Sequence, residues 1–292
     1  MHTVIENMKN RAEAIKMDLK ELISLHSSLH YKTPHRLVVV AGGDFFWNPL
    51  QEAGRQIQSK IIDSYDKFCE TIHILLKDQP DKTTRQLSQY ESSVRKTIEQ
   101  NRNRPNDDKM AVLTEALQSI DQQINLLDSL YHILPDHETV YVPDTNALLY
   151  NVHLDRWRFT GSAKFTVALT PTVLSELDIL KISHRSEDVR AKAETLIRTI
   201  KGYRIRGRLT QGIPLVKGVS QLIAFATEPK VAESLSWLDF SNKDDRYLAS
   251  VIEVMRKMPR SPVVIITRDI NLQNKAEFAE LPYVEPPELL QD

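Results

Sequence analysis

A short apolar stretch that ends in an aspartate, TVYVPDTNALL at residues 139–149, constrains the fold of this chain more than any other segment. Its two valines and its tyrosine favour a β-strand, and Pro143 cannot donate to a strand ladder, so the strand is predicted to stop there. A helix is predicted to follow from Asn146. Asp144 therefore lies outside the carboxyl end of a strand, where α/β sheets place chemical groups, although helix N-caps also favour aspartate.

From Thr139 onward, short β-branched runs alternate with helical patterns, which is typical of an α/β domain with a mostly parallel sheet flanked by helices. Strands are predicted at residues 139–142, 165–169, 222–226 and 263–266. Acidic residues follow these strands or open the next helix: Asp144, Glu176, Asp178, Asp244, Asp245 and Asp269. Parallel connections bring strand ends to one edge, where such carboxylates would repel one another without a cation. Oxygen ligands alone select Mg²⁺ or Mn²⁺ rather than zinc.

Each of these acids also has an ordinary structural explanation. Asn242 is a candidate helix N-cap with Asp245 three residues on, and Asp269 is a candidate cap for a helix over residues 271–280. Glu176 is equally explained as an exposed helix residue that pairs with a nearby base. Taken singly, the acids leave both explanations open, and it is their joint arrangement that favours a metal site.

Two other classes of α/β protein can be compared with the same residues. Phosphatases that form an aspartyl-phosphate after the first strand need a second aspartate two positions on, where this chain has Asn146. A dinucleotide-binding fold needs a glycine-rich first turn, and residues 144–147 contain no glycine. Both classes therefore fit the sequence less well than a metal site does.

Four segments resemble, in order and spacing, the motifs of the PIN domain, a metal-dependent nuclease domain: VPDTNALL, LSELDILK, NKDDRYLASV and VVIITRDINLQNKA. Residues 137–292 resemble in particular the PIN domains of RNA-decay factors and of PhoH-type ATPase fusions. The family's catalytic and metal-ligating acids fall on Asp144, Glu176, Asp245 and Asp269. Asp244 is a neighbour that could share or replace the role of Asp245.

The resemblance implies a divalent-metal-dependent endoribonuclease that hydrolyses phosphodiester bonds of single-stranded RNA, leaving a 5′-phosphate and a 3′-hydroxyl. Mg²⁺ or Mn²⁺ is the implied cofactor, because it activates water and offsets charge on the reacting oxygens. Asp144 and Asp269 are expected to ligate the metal directly, while Asp245 and Glu176 ligate through water or orient the attacking water. The residues expected to hold these carboxylates in place are Asn146, Thr267 and Asp244.

A basic stretch lies between His184 and Thr210, where eight Lys and Arg residues against three acids give a local charge of +5. Tyr203 stands among these cations, as backbone tracking and base stacking on a single strand would require. The residues predicted to bind substrate are Arg198, Lys201, Tyr203, Arg204, Arg206 and Arg208. The alternative is a solvated helix face.

Residues 1–136 are predicted to form an α-helical domain that serves in oligomerisation, substrate placement or regulation. Apolar residues recur at spacings of three and four in four successive segments of this half. Residues 37–50, LVVVAGGDFFWNPL, break the pattern and are interpreted as a buried strand or hinge, with a docking surface for a partner as the alternative.

The composition narrows the remaining possibilities. With 41% hydrophobic residues, 26% charged residues and a net charge of −1, the chain has no global charge that would attract nucleic acid or membrane. Cys69 is the only cysteine, which excludes an internal disulfide and fits a reducing compartment. Neither a signal peptide nor a membrane span is predicted, because the densest apolar run is far shorter than the roughly 20 residues that cross a bilayer. We therefore expect a cytoplasmic protein with no membrane partner.

Two classes of function remain at this point. The first is the nuclease, acting on RNA or alternatively on DNA, with a possible homo-oligomer formed through the helical half. The second is a PIN-fold protein that binds nucleic acid or acts as a scaffold without cleaving. Members that no longer cleave commonly lose acids, and this sequence keeps all four, which favours the enzyme.

Overall fold

The computed structural model describes residues 2–32, 44–77, 79–100, 108–131, 138–230 and 233–288. Contacts between Cα atoms divide the chain into two compact units, Ile5–Ile133 and Leu134–Asp292 with Met1–Val4. The predicted fold class is confirmed, since a helical N-terminal region precedes an α/β region. The functions predicted for the helical half stay predictions. No helix in the described ranges is long and apolar enough to cross a membrane.

The N-terminal unit is mainly helical. Its long helices are α1 (Val4–Glu21), which continues into a π-helical turn, α2 (Glu52–Leu75), α3 (Asp81–Glu99) and α4 (Lys109–Tyr131). The apolar stripes predicted from the sequence spacing form the core, and Met8, Phe68 and Ile120 are fully buried. Gln123 Nε2 donates to the buried Tyr65 hydroxyl at 2.9 Å, so both polar groups are satisfied inside this core.

Of the buried strand or hinge predicted within residues 37–50, a strand is present where the structure describes the segment, but it is only half-buried. β2 (Asp44–Trp47) pairs antiparallel with β1 (Leu29–Lys32), a strand that the helical interpretation of this half does not contain. The aromatic side chains of Phe45 to Trp47 are only half-buried, because a two-stranded ribbon has little surface to cover both of its faces. Residues 33–43 lie outside the described ranges.

The C-terminal unit is built on a sheet of six strands among the described residues. They are β3 (Thr139–Pro143), β4 (Phe165–Leu169), β5 (Ile213–Val216), β6 (Ser220–Ala224), β7 (Val263–Ile266) and β8 (Tyr283–Val284). The order is β5-β6-β4-β3-β7-β8, and every neighbouring pair except β5-β6 is parallel. The central strands are buried along nearly their whole length, as parallel strands between helices are.

This unit contains five α-helices among its described residues. They are α5 (Thr145–Tyr150), α6 (Pro171–Ser183), α7 (Glu187–Tyr203), α8 (Lys243–Lys257) and α9 (Ile270–Phe278). Thr170 caps α6 by accepting from Val173 N, and Asn242 caps α8 by accepting from Asp244 N, as its sequence position predicts. Because α5, α6 and α9 directly follow β3, β4 and β7, their amino termini gather at the carboxyl edge of the sheet.

The strand predictions are largely confirmed, with two omissions. The strand predicted at residues 222–226 begins two residues earlier, and the edge strands β5 and β8 are not predicted. β5 contains Pro214, which weakens a strand signal but is tolerated on an edge. β8 has only two residues and gives no periodic pattern. The strand β3 includes Pro143, which pairs with Ile266.

The register of the central strands aligns the residues that follow them. Asp144 N donates to Ile266 O at 2.9 Å, so Asp144 and Thr267 leave the sheet side by side. On α8, the buried Tyr247 hydroxyl donates to Val142 O at 2.6 Å and ties the first turns of that helix to the end of β3. Asp144 and the first turns of α8, which carry Asp244 and Asp245, are therefore fixed to the strands beneath them.

Candidate metal centre

Asp144 lies between β3 and α5 and is only 7% exposed. Its Oδ1 accepts from Ala147 N at 2.6 Å, so Asp144 is the N-cap of α5. Its Oδ2 accepts from Thr267 Oγ1 at 2.5 Å. The cap explanation is thus correct, and it does not compete with metal binding, since each carboxylate oxygen has a second lone pair.

Asp269 is held in the same network. Thr267 Oγ1, which donates to Asp144, also accepts from Asp269 N at 3.0 Å. Asp269 Oδ1 accepts from Asn271 N at 2.8 Å and from Leu272 N at 3.2 Å, which makes this aspartate the N-cap of α9. The fully buried Thr267 therefore orients one acid through its side chain and the next through its backbone.

Glu176 reaches the same edge from the second turn of α6. Its Oε2 accepts from Thr145 Oγ1 at 2.6 Å, and Thr145 follows Asp144 in the chain. Its Oε1 lies 3.4 Å from Lys243 Nζ, at the start of α8. Glu176 therefore does pair with a nearby base, as its structural explanation expects, but the side chain is half-buried rather than exposed and connects three helices.

The pKa of the Asp144 carboxyl reflects its burial and the charges of the other two acids. Burial first, and then the negative charges of Asp269 and Glu176, raise the pKa of the Asp144 carboxyl to about 6, against the hydrogen bonds from Thr267 and Ala147 that lower it. The negative charges of Asp269 and Glu176 thus both act on the buried Asp144 carboxyl. A divalent cation would relieve this repulsion.

Asp245 is in a different environment. It is buried, its Oδ1 lies 2.6 Å from Lys275 Nζ, and its Oδ2 accepts from Asp239 N at 2.9 Å. Both oxygens are thus engaged by protein donors. Lys275 is a residue that the sequence analysis missed, although its position six residues after Asp269 on α9 places it near this edge.

Asp244 and Asn146 are more open to solvent. The Asp244 side chain is 39% exposed, and its Oδ2 lies 3.5 Å from Lys275 Nζ. Asn146 is exposed in the first turn of α5. Of the two neighbouring acids on α8, Asp244 is therefore the one whose carboxylate a solvated ion can approach.

The basic stretch is only partly available for binding. Lys201, Arg204 and Arg208 are exposed and pair with no acid among the described residues. Arg198 pairs with Glu194 at 2.8 Å. The stacking role predicted for Tyr203 does not fit, because its ring is buried on the inner side of α7 and the Arg206 guanidinium lies 5.1 Å from the ring centroid.

Topology places this stretch relative to the acids. β5 runs antiparallel to β6, so residues 204–212 enter the sheet from the carboxyl edge, the edge that carries Asp144. Three strand spacings separate β5 from β3, which corresponds to about 14 Å. The exposed cations thus lie on the same edge as the acids.

The donor set at this edge suits a hard cation. Within the described part of the chain, no three His, Cys, Asp or Glu side chains already converge on a metal position. Mg²⁺ does not require such a cage, because it commonly keeps several waters and binds one or two carboxylates together with substrate phosphates. Asp144, Asp269 and Glu176 fit this kind of ligation.

The fold and the acidic edge together define a nuclease-type α/β domain. Residues 141–285 match the family model of the PIN domain, and the C-terminal half of the chain accordingly belongs to the PIN domain family, whose members are generally metal-dependent nucleases that act on nucleic acids. The region before residue 141 matches no family model. No curated protein matches the chain.

We predict that Asp144→Asn stabilises the metal-free protein near neutral pH. Because the folded-state pKa of Asp144 is raised to about 6, folding favours the neutral carboxyl, and this stabilisation is lost as pH rises from about 4 through 6. The shift corresponds to at most about 3 kcal/mol. Denaturant unfolding in EDTA measures this. The free energy of unfolding of the variant, relative to that of the native chain, should increase from pH 4 to pH 7. A constant difference across this range would contradict the assignment.

We predict that Lys275→Met lowers the free energy of unfolding by roughly 2–4 kcal/mol, because it leaves the buried Asp245 carboxylate without its cation. Lys243→Met is the matched control, since Lys243 is mostly exposed and 3.4 Å from Glu176, and should cost less than about 1 kcal/mol. Adding Asp245→Asn to Lys275→Met should recover part of the loss. Equal losses for the two single variants would show that the Lys275 pair is not structural.

Proposed function

We propose that residues 137–292 form a divalent-metal-dependent endoribonuclease domain that hydrolyses phosphodiester bonds in single-stranded RNA. The observation that carries the proposal is the convergence of Asp144, Asp269 and Glu176, linked through the hydroxyls of Thr267 and Thr145, at the carboxyl edge of a PIN-domain sheet. The helical N-terminal half would serve in oligomerisation, substrate placement or regulation. The expected cellular location is the cytoplasm.

Asp144 and Asp269 would hold the Mg²⁺ or Mn²⁺ ion directly, and Glu176 would hold it through water or orient the attacking water. The ion would lower the pKa of a bound water and offset charge on the phosphoryl oxygens. Thr267 would keep two carboxylates in register, since its hydroxyl donates to Asp144 and accepts from Asp269 N.

The third acid of the family pattern is better assigned to Asp244 than to Asp245. Asp144 and Asp245 are both buried with both oxygens engaged, but the charge of Asp245 is already offset by the ammonium group of Lys275, whose Nζ lies 2.6 Å from Oδ1. Asp244 keeps an exposed carboxylate on the same turn of α8. In this assignment Asp245 and Lys275 anchor α8 to α9, and Asp244 faces the solvent from which metal and substrate arrive.

Single-strand cleavage tests the proposal. End-labelled single-stranded RNA and DNA are incubated with the full chain in Mn²⁺, Mg²⁺ or EDTA. We expect metal-dependent cleavage of RNA, and a loss of at least about 10²-fold for Asp144→Asn, because a direct metal ligand is removed. Asp178→Asn is the matched control, since Asp178 is exposed on α6 and, among the described residues, pairs only with Lys181; it should keep full activity.

The variants at α8 complete the same experiment. Asp244→Asn should lose cleavage while its thermal stability stays near that of the native chain, whereas Asp245→Asn should lose stability. Equal cleavage by the native chain and Asp144→Asn would show that the acids are misassigned. Cleavage of DNA alone would show that the substrate is DNA rather than RNA. Absence of cleavage on all substrates would favour a PIN domain that binds nucleic acid without cleaving it.

Replacing Lys201, Arg204 and Arg208 by Ala should weaken binding of single-stranded RNA, because these cations are exposed and unpaired within the described residues. Each lost phosphate contact lowers the salt slope of log K by about 0.7 on a single strand, so the slope should fall by about 2. Fluorescence anisotropy titrations between low and moderate salt concentration measure this slope. Arg198→Ala should change it less, given its pairing with Glu194. An unchanged slope in the triple variant would exclude this surface.

A further inference from the structure

A stacked pair of side chains stands beside the acidic edge. The Cζ atom of Arg268 lies 4.3 Å from the centroid of the Tyr150 ring. Arg268 separates Thr267 from Asp269 in the chain, and Tyr150 is the last residue of α5, the helix that Asp144 caps. The pair is therefore attached on both sides to the backbone that carries the candidate metal ligands.

The pair is open to solvent. Tyr150 is 37% exposed, and the Arg268 side chain is 50% exposed. Arg268 forms a loose ion pair with the largely exposed Glu285, whose Oε2 lies 3.7 Å from Arg268 Nε and thus beyond hydrogen-bond distance. Among the residues that the structure describes, the guanidinium accordingly donates no hydrogen bond. Its outer face is available to a ligand.

The chemistry of the pair points to a planar ligand. An arginine packed on an aromatic ring is held flat, and guanidinium planes and aromatic rings are the surfaces on which unpaired bases stack. An exposed pair of this kind adds only about 0.5–1 kcal/mol to stability, so folding alone gives it little reason to lie at an acidic edge. Arginine there also offsets the charge that would repel a phosphate backbone.

We propose that the Tyr150–Arg268 pair is a stacking platform for one unpaired nucleobase next to the phosphodiester at the acidic edge. This inference rests on the proposed nuclease function and specifies its substrate further. A base in a duplex is already stacked and paired, so the platform selects single-stranded nucleic acid. Stacking is tolerant of base identity, so the platform selects strand structure rather than sequence.

The test compares binding to a fluorescent oligoribonucleotide of about ten uridines with binding to the same backbone carrying abasic riboses, measured by anisotropy in EDTA. The native chain should bind the base-containing strand about tenfold more tightly, as expected for one stacked base. Arg268→Lys keeps the charge but loses the plane, and should abolish this preference. Tyr150→Leu should do the same, whereas Tyr150→Phe should keep it. Arg158→Lys, at an exposed arginine elsewhere in the unit, is the matched control and should leave the preference unchanged.

The outcomes separate this inference from the proposed function. Equal binding of both strands by the native chain would overturn the platform, as would a preference that survives both Arg268→Lys and Tyr150→Leu. An equal loss of affinity for both strands in Arg268→Lys would assign Arg268 to the phosphate backbone and overturn the platform. Cleavage of RNA by the native chain without a base preference would leave the nuclease intact and remove only the platform. A base preference without cleavage would retain the platform in a binding protein.

Discussion

The hydrogen bond from the Thr267 hydroxyl to the Asp144 carboxylate joins the carboxyl ends of β3 and β7, and the candidate site is built around it. The same hydroxyl accepts from Asp269 N, so one buried side chain fixes two acids. Both aspartates also cap the helices that follow them. Folding thus places the carboxylates through ordinary capping bonds, and their mutual repulsion remains for a cation to relieve.

The opposite side of the edge is assembled by α8 and α9. Tyr247 ties α8 to Val142, and the Lys275–Asp245 ion pair ties α8 to α9. Because these contacts engage Asp245, we propose its partly exposed neighbour Asp244 as the metal ligand on α8. Of the two neighbouring acids on α8, Asp245 therefore supports the fold, and Asp244 is the proposed metal ligand.

The central strands and the helices after them could be predicted because strands buried on both faces give continuous β-branched runs. The gathering of Asp144, Glu176 and Asp269 follows from parallel topology. Other features could not be predicted from spacing. The Lys275–Asp245 contact depends on the angle between α8 and α9. The burial of Tyr203 depends on which face of α7 turns inward. The strand signal of β5 is weakened by Pro214. The pairing of Arg268 with Tyr150 joins residues far apart in the chain.

The central claim is that a divalent cation binds at Asp144. Isothermal titration of Mn²⁺ into the full chain, without nucleic acid, measures it most directly. We expect Mn²⁺ to bind the native chain and Asp178→Asn, and to bind Asp144→Asn with an affinity at least about tenfold lower, because a direct ligand is lost. Equal Mn²⁺ affinity for the native chain and Asp144→Asn would contradict it.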